Sequence, residues 1–178
     1  MSFAFLLLAL VVSANPCRAR LVLPERRPAV ALGALVALGV SSGIAAVGSA
    51  FLDALDITPE TFRLAAAVVL AIEGARALVL ARPAREPELA GLGAALLPVA
   101  FPLLLTPGVV MLALTAGGDD MVGEAVGALA VAFALVLLAT LIPRGARADA
   151  LLAAGGRLLG AVEIAVGVAL AVDSLRDV

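Results

Sequence analysis

Apolar residues run along this chain in six long stretches, separated by short clusters of charge, proline and glycine. The stretches lie near 2–22, 29–52, 59–81, 88–116, 121–143 and 149–174. At about 1.5 Å per helical residue, each is long enough to cross a hydrocarbon layer of about 30 Å. The pattern predicts an all-α, polytopic membrane protein of six transmembrane helices, with the lipid bilayer as its first partner. The third stretch carries a helix-start signal, because Thr58 can cap, Pro59 suits the first helical position and Glu60 complements the helix dipole. The first reads as a retained helix rather than a secretory signal, since no positive charge precedes it and "SANPC" offers no small-residue cleavage site.

Two stretches are broken from within. In "LLPVAFPLLLTPGVVM", residues 96 to 111, Pro98, Pro102 and Pro107 interrupt an otherwise continuous apolar run, and Pro16 does the same after Asn15 near the end of the first stretch. Proline removes a backbone donor and clashes with the preceding turn, which in lipid is costly unless the freed carbonyls find partners. Breaks near Asn15-Pro16 and Thr106-Pro107-Gly108 would let half-helix ends face a shared polar site, whereas an isolated membrane proline more often only kinks its helix.

Charge gives the stretches their orientation. The first loop carries Arg18, Arg20, Arg26 and Arg27, the third Arg82 and Arg85, and the fifth Arg144 and Arg147. The second holds Asp53, Asp56 and Glu60 and the fourth Asp119, Asp120 and Glu124, with no arginine in either. By the excess of basic residues on the cytoplasmic side, the arginine loops face inward and both termini lie outside.

Composition narrows the chemistry. With 63% hydrophobic residues and a mean hydropathy of +1.17, a soluble fold is excluded. The chain has neither His nor Trp nor Tyr, so imidazole catalysis and an aromatic belt are both excluded. A lone Cys17 excludes an internal disulfide, and no metal or other cofactor is implied. A net charge of −2 points to no nucleic-acid partner. The sequence holds no H-E-x-x-H and no G-x-S-x-G, and Asp119 and Asp120 fall in a loop, so an enzyme is not expected.

The halves also repeat. "ALGAL" at 31–35 returns as "AVGAL" at 125–129, and "RLAAAV" at 63–68 as "RLLGAV" at 157–162, both at an offset of 94 that aligns Arg63 with Arg157. Asn15-Pro16 and Thr106-Pro107 are related by an offset of 91. Three stretches per repeat is an odd number, so the halves, 1–82 and 88–178 around a cytoplasmic linker at 83–87, would insert in opposite orientations. Inverted repeats of this kind are common in secondary transporters, whose sites lie near the midplane between halves.

"NP" ending the first stretch, "PLLLTPGVV" in the fourth, "TPETFRLAAAVVLAIEGARAL" in the third and "GGRLLGAVEIAVGVALAVDSLRD" in the sixth resemble the MarC family, a branch of the LysE exporter superfamily. The resemblance implies a bacterial inner-membrane protein of six helices with external termini, and an exporter-like function. It departs at the first loop, where "CRARLVLPERR" replaces the glycine-rich segment usual after Asn-Pro.

Two carboxylates stand out independently. Glu73 and Glu163 lie about halfway along the third and sixth stretches, where ionisable groups are costly and tend to mark pathways or proton relays. Burial makes the charged form of such a group expensive, so it can take up and release a proton during a transport cycle, with Glu163 the first candidate for that role and Glu73 the second. Asn15 and Thr106 would orient a small solute without titrating, and Arg63 and Arg157 would meet an anionic group or pair with the carboxylates. The bland alternative pairs Glu73 with Arg76 on its own helix and lets the arginines reach the headgroups. Export of small hydrated cations is disfavoured, since only one carboxylate per half is available and such ions want several oxygens at one depth. Small-residue faces such as "GALVALGVSSGIAAVG" leave open a homo-oligomer, or an accessory or scaffold subunit of a membrane complex, in place of a transporter.

Reporter fusions test the predicted sidedness directly. Fusions at residues 56 and 120 should report outside and one at residue 85 inside; agreement in side between 85 and 120 would contradict six spans.

Overall fold

The computed structural model describes residues 1–23, 27–79, 93 and 95–176. Every regular element among them is a helix: α1 (Phe3–Ala14), α2 (Pro16–Val22), α3 (Arg27–Ala46), α4 (Gly48–Ala54), α5 (Pro59–Val79), α6 (Ala95–Leu104), α7 (Pro107–Gly118), α8 (Val122–Ala139) and α9 (Ala146–Arg176). Arg26, Arg82, Arg85, the expected linker at 83–87 and the expected start of the fourth span at residue 88 lie outside the described residues. Four helical units are long and apolar enough to cross a membrane: Phe3–Val22, Arg27–Ala46, Val122–Ala139 and Ala146–Arg176. The pair α6 and α7, bent by 69°, makes a fifth when counted as one span. α5 matches them at 21 residues but carries Glu60, Arg63, Glu73 and Arg76, which set it apart from those four.

The prolines explain where the helices stop. Proline pushes the residue before it out of the helical region, and Leu97 (φ −126°, ψ 114°), Phe101 (φ −129°, ψ 127°) and Thr106 (φ −70°, ψ 156°) are all extended. α6 is therefore an irregular helix interrupted ahead of Pro98 and Pro102, and the chain leaves the helical region again at Thr106, at the three prolines that interrupt the apolar run. Asn15 takes the other route. It adopts the left-handed conformation (φ 40°, ψ 71°), which asparagine tolerates better than most residues. The remaining boundaries differ from expectation in small ways. The stretch at 29–52 divides into α3 and α4 at Val47, α8 stops at Ala139, and α9 starts three residues before the expected 149. α8 ends where Thr140 Oγ1 donates to Leu137 O at 2.6 Å, three residues ahead of Pro143.

α5 and α9 form the most intimate pair. A Cβ added to Gly74 would lie 2.5 Å from Gly160 O, and one added to Gly167 would lie 2.8 Å from Ala67 O. As the residue number falls along α5 it rises along α9, so the helices run antiparallel with their backbones in direct contact, the approach that small residues permit between membrane helices. Ala67 and Gly160 are 93 residues apart, as are Gly74 and Gly167, so the two contacts exchange under a single offset.

The two ends of the bundle are tied differently. At one end Arg63, near the start of α5, reaches Asp119 after α7 at 2.7 Å, and the N-terminal ammonium lies 3.8 Å from the same carboxylate. At the other, Arg20 Nε and Nη2 donate to Ile142 O beyond α8 at 3.0 and 2.9 Å, and Arg144 Nη2 donates to Leu21 O and Leu23 O at 3.0 and 3.1 Å. Arg20 and Arg144 thereby satisfy carbonyls near the helix ends that lack helical partners.

Gly74→Ala should cost about 1–3 kcal/mol because the added carbon meets backbone that cannot turn away. Gly39→Ala, with nothing within 4 Å of the added carbon, should be neutral or mildly stabilising. Thermal unfolding of the detergent-solubilised variants distinguishes the two, and equal effects would contradict the packing described.

Candidate functional site

The two breaks meet. Ser13, in the last turn of α1, places its Oγ 3.3 Å from Thr106 Oγ1 at the start of α7, and these residues are again 93 apart. Thr106 is the N-cap of α7, its Oγ1 accepting from Val109 N–H at 3.2 Å. Pro107 fills the first helical position, where the missing N–H costs nothing. The next residue brings in α5: Gly108 N–H donates to Glu73 Oε2 at 2.8 Å. A carboxylate at a helix N-terminus is favoured by the dipole as well as by the hydrogen bond. Glycine at 108 leaves room for this, because a Cβ there would displace the side-chain ends of both Glu73 and Ser13.

Asn15 resolves the other break. Its Oδ1 accepts from Arg18 N–H at 3.0 Å, capping α2, while its Nδ2 donates to Gly156 O of α9 at 3.0 Å. With Pro16 at the first position of α2, the interruption repeats the cap-and-proline arrangement at α7. The Asn15 side chain is buried and engaged at both ends. It holds two helices in place, while its solute contact stays an expectation.

Glu163 completes the cluster from α9. It is 2% exposed, and its Oε1 has no hydrogen-bond partner. The Ser13 hydroxyl lies beside its carboxyl, and the charges of Glu73 and Arg18 act on it. Glu73 forms no ion pair with Arg76 but accepts from the start of α7, where Thr106 is a second neighbour of its carboxylate. Both carboxylates and two hydroxyls therefore converge where α1 stops and α7 starts.

Of the residues singled out in the sequence, Asn15, Pro16, Glu73, Thr106, Pro107, Gly108 and Glu163 are gathered here. Arg63 and Arg157 are not. Arg63 is occupied by Asp119 at one end of the bundle, and Arg157 is exposed on a cleft that it shares with Arg18, Leu21, Ala77 and Gly156. The sequence did not single out Ser13, and it marked Arg18 only as a loop charge rather than as a neighbour of the site. Both flank Asn15-Pro16, and their spacing of a few residues from the break was the available signal.

Compared with known proteins, the chain matches no family model, no curated protein and no solved structure.

Glu73→Ala should destabilise the protein by about 1–3 kcal/mol, since it leaves the Gly108 N–H buried without its charged acceptor. Glu73→Gln keeps an acceptor oxygen and should recover at least half of that loss. If the alanine variant unfolds at the same temperature as the parent, the capping role is wrong.

Proposed function

We propose that this integral membrane protein transports a small solute through the site where its two helix breaks meet. Glu163 is the group that couples transport to proton movement. One observation carries the reading: a carboxylate that is 98% buried, with one oxygen lacking a partner, faces a junction of half-helix ends. Burying an ionised carboxylate without pairing it is expensive. A structural role would have been served at lower cost by an amide or an apolar side chain, whereas a cycle that binds and releases a cation requires a carboxylate.

Six spans in two inverted three-helix repeats, with external termini, form the architecture that suits this role. The exchange of contacts at an offset of 93, at Ser13 and Thr106 and again between α5 and α9, supports it. So does the segregation of Asp119 and Arg63 to one end and of Arg20 and Arg144 to the other. Resemblance to the MarC family favours export across a bacterial inner membrane. In the proposed cycle Glu163 exchanges the proton, Glu73 holds the start of α7 in place beside it, and Asn15 and Thr106 shape the solute's path. The cleft at Arg18 and Arg157 is its entrance from the basic, cytoplasmic end.

A second reading rests on the outward glycines Gly39 and Gly43 of α3 and Gly123 and Gly127 of α8, beside which an added Cβ meets nothing within 4 Å. Such faces suit a homo-oligomer or a scaffold subunit.

Proteoliposomes carrying an entrapped pH-sensitive dye separate the readings when challenged with a panel of small polar solutes. Transport predicts a solute-elicited proton flux. Glu163→Gln should remain folded and lose the pH dependence of transport, while Thr106→Val should raise the half-saturating solute concentration roughly tenfold, about one hydrogen bond's worth, and keep that dependence. The scaffold reading predicts neither effect, and a panel without any flux would overturn transport.

A further inference from the structure

We propose that the same cluster binds one small monovalent cation, of the size and hardness of Na⁺, between Glu163, Ser13 and the C-terminal end of α1. The inference rests on the reading of the cluster as a transport site and names a second occupant for it. The sequence reading set cations aside because each half offers a single carboxylate. The fold brings both to one place and adds the hydroxyls of Ser13 and Thr106, so the count of hard oxygen donors is no longer one.

Three further observations locate and size the ion. First, Glu73 is already compensated by the Gly108 N–H and the positive end of α7, which leaves the buried Oε1 of Glu163 as the unpartnered acceptor. Second, α1 ends here. Pro16 has no N–H to return to Val12 O, and the negative end of the α1 dipole points at Ser13 and its surroundings. Unwound carbonyls at half-helix C-termini are what membrane transporters use to hold Na⁺. Third, Glu73 from α5 and Arg18 from α2 act on Glu163, and Arg76 acts on Glu73 in turn, so the cluster has no large negative excess and a monovalent ion adds less unbalanced charge than a divalent one. The tight packing about Gly108, where one added carbon would strike both Glu73 and Ser13, favours a small ion over a large one.

Proton and cation then compete for one oxygen. The test is thermal unfolding of the purified full-length protein in detergent, with NaCl exchanged for KCl or choline chloride at constant ionic strength. Na⁺ should raise Tm by about 2–4 °C over both controls, as binding to the native state alone requires at saturating ion. The rise should shrink on acidification and vanish in Glu163→Gln. Ser13→Ala, a smaller perturbation, should weaken the Na⁺ response at least several-fold and provides the same reading if Glu163→Gln does not fold. A Tm that ignores the identity of the cation at every pH, or a Na⁺ effect that survives in both variants, overturns the cation site while leaving proton-coupled transport standing. Loss of solute-elicited proton flux with the Na⁺ response intact would overturn the transport reading instead.

Discussion

A helix that stops inside a membrane leaves backbone groups with no water to satisfy them, and the rest of this structure depends on how that debt is met at Asn15 and Thr106. Each break uses a polar cap followed by proline, and each is then tied to a neighbour: Asn15 to Gly156 of α9, and the start of α7 to Glu73 of α5. Those ties cannot form unless α5 and α9 approach closely, which is what Gly74, Gly160 and Gly167 allow. The polar cluster and the glycine seam are therefore one device. A side chain at any of those glycines would move the helices that carry both carboxylates.

Within the cluster the two glutamates have different positions and different consequences. Glu73 is spent on a helix terminus, where its charge is complemented. Glu163 has a hydroxyl neighbour and an oxygen that nothing in the described residues satisfies. Pairs of titratable groups whose surroundings separate their behaviour are how proteins assign a fixed and an exchanging partner. The bundle ends add direction: the Arg63–Asp119 pair ties one, while at the other Arg18 and Arg157 share a cleft that reaches Gly156, the residue that Asn15 holds.

Much of this was legible in the sequence. Period and length gave the helices, Asn15-Pro16 and Thr106-Pro107 gave the breaks, and midplane position singled out Glu73 and Glu163. The cap at Thr58 was also legible, with Thr61 N–H donating to its Oγ1 at 3.3 Å. What was not legible depends on partners distant in the chain. Arg63 reads as a candidate ligand until Asp119, 56 residues away, is seen to occupy it. Ser13 reads as an ordinary small residue of an apolar helix until the fold sets it against Thr106. The interruptions of α6 ahead of Pro98 and Pro102, by contrast, were legible from the prolines themselves, since the residue before each leaves the helical region.

Thiol accessibility at the junction addresses the central claim most directly. Cys17 is the single native cysteine, so Cys17→Ser provides a silent background for Thr106→Cys and for Leu112→Cys, the latter in the sealed interior of α7. A small, water-soluble thiosulfonate applied from both sides of membrane vesicles should modify the cysteine at 106 readily and the one at 112 at least tenfold more slowly. Equal inertness at the two positions would mean that the helix breaks are sealed within the bundle, and that the polar cluster serves only to hold it together.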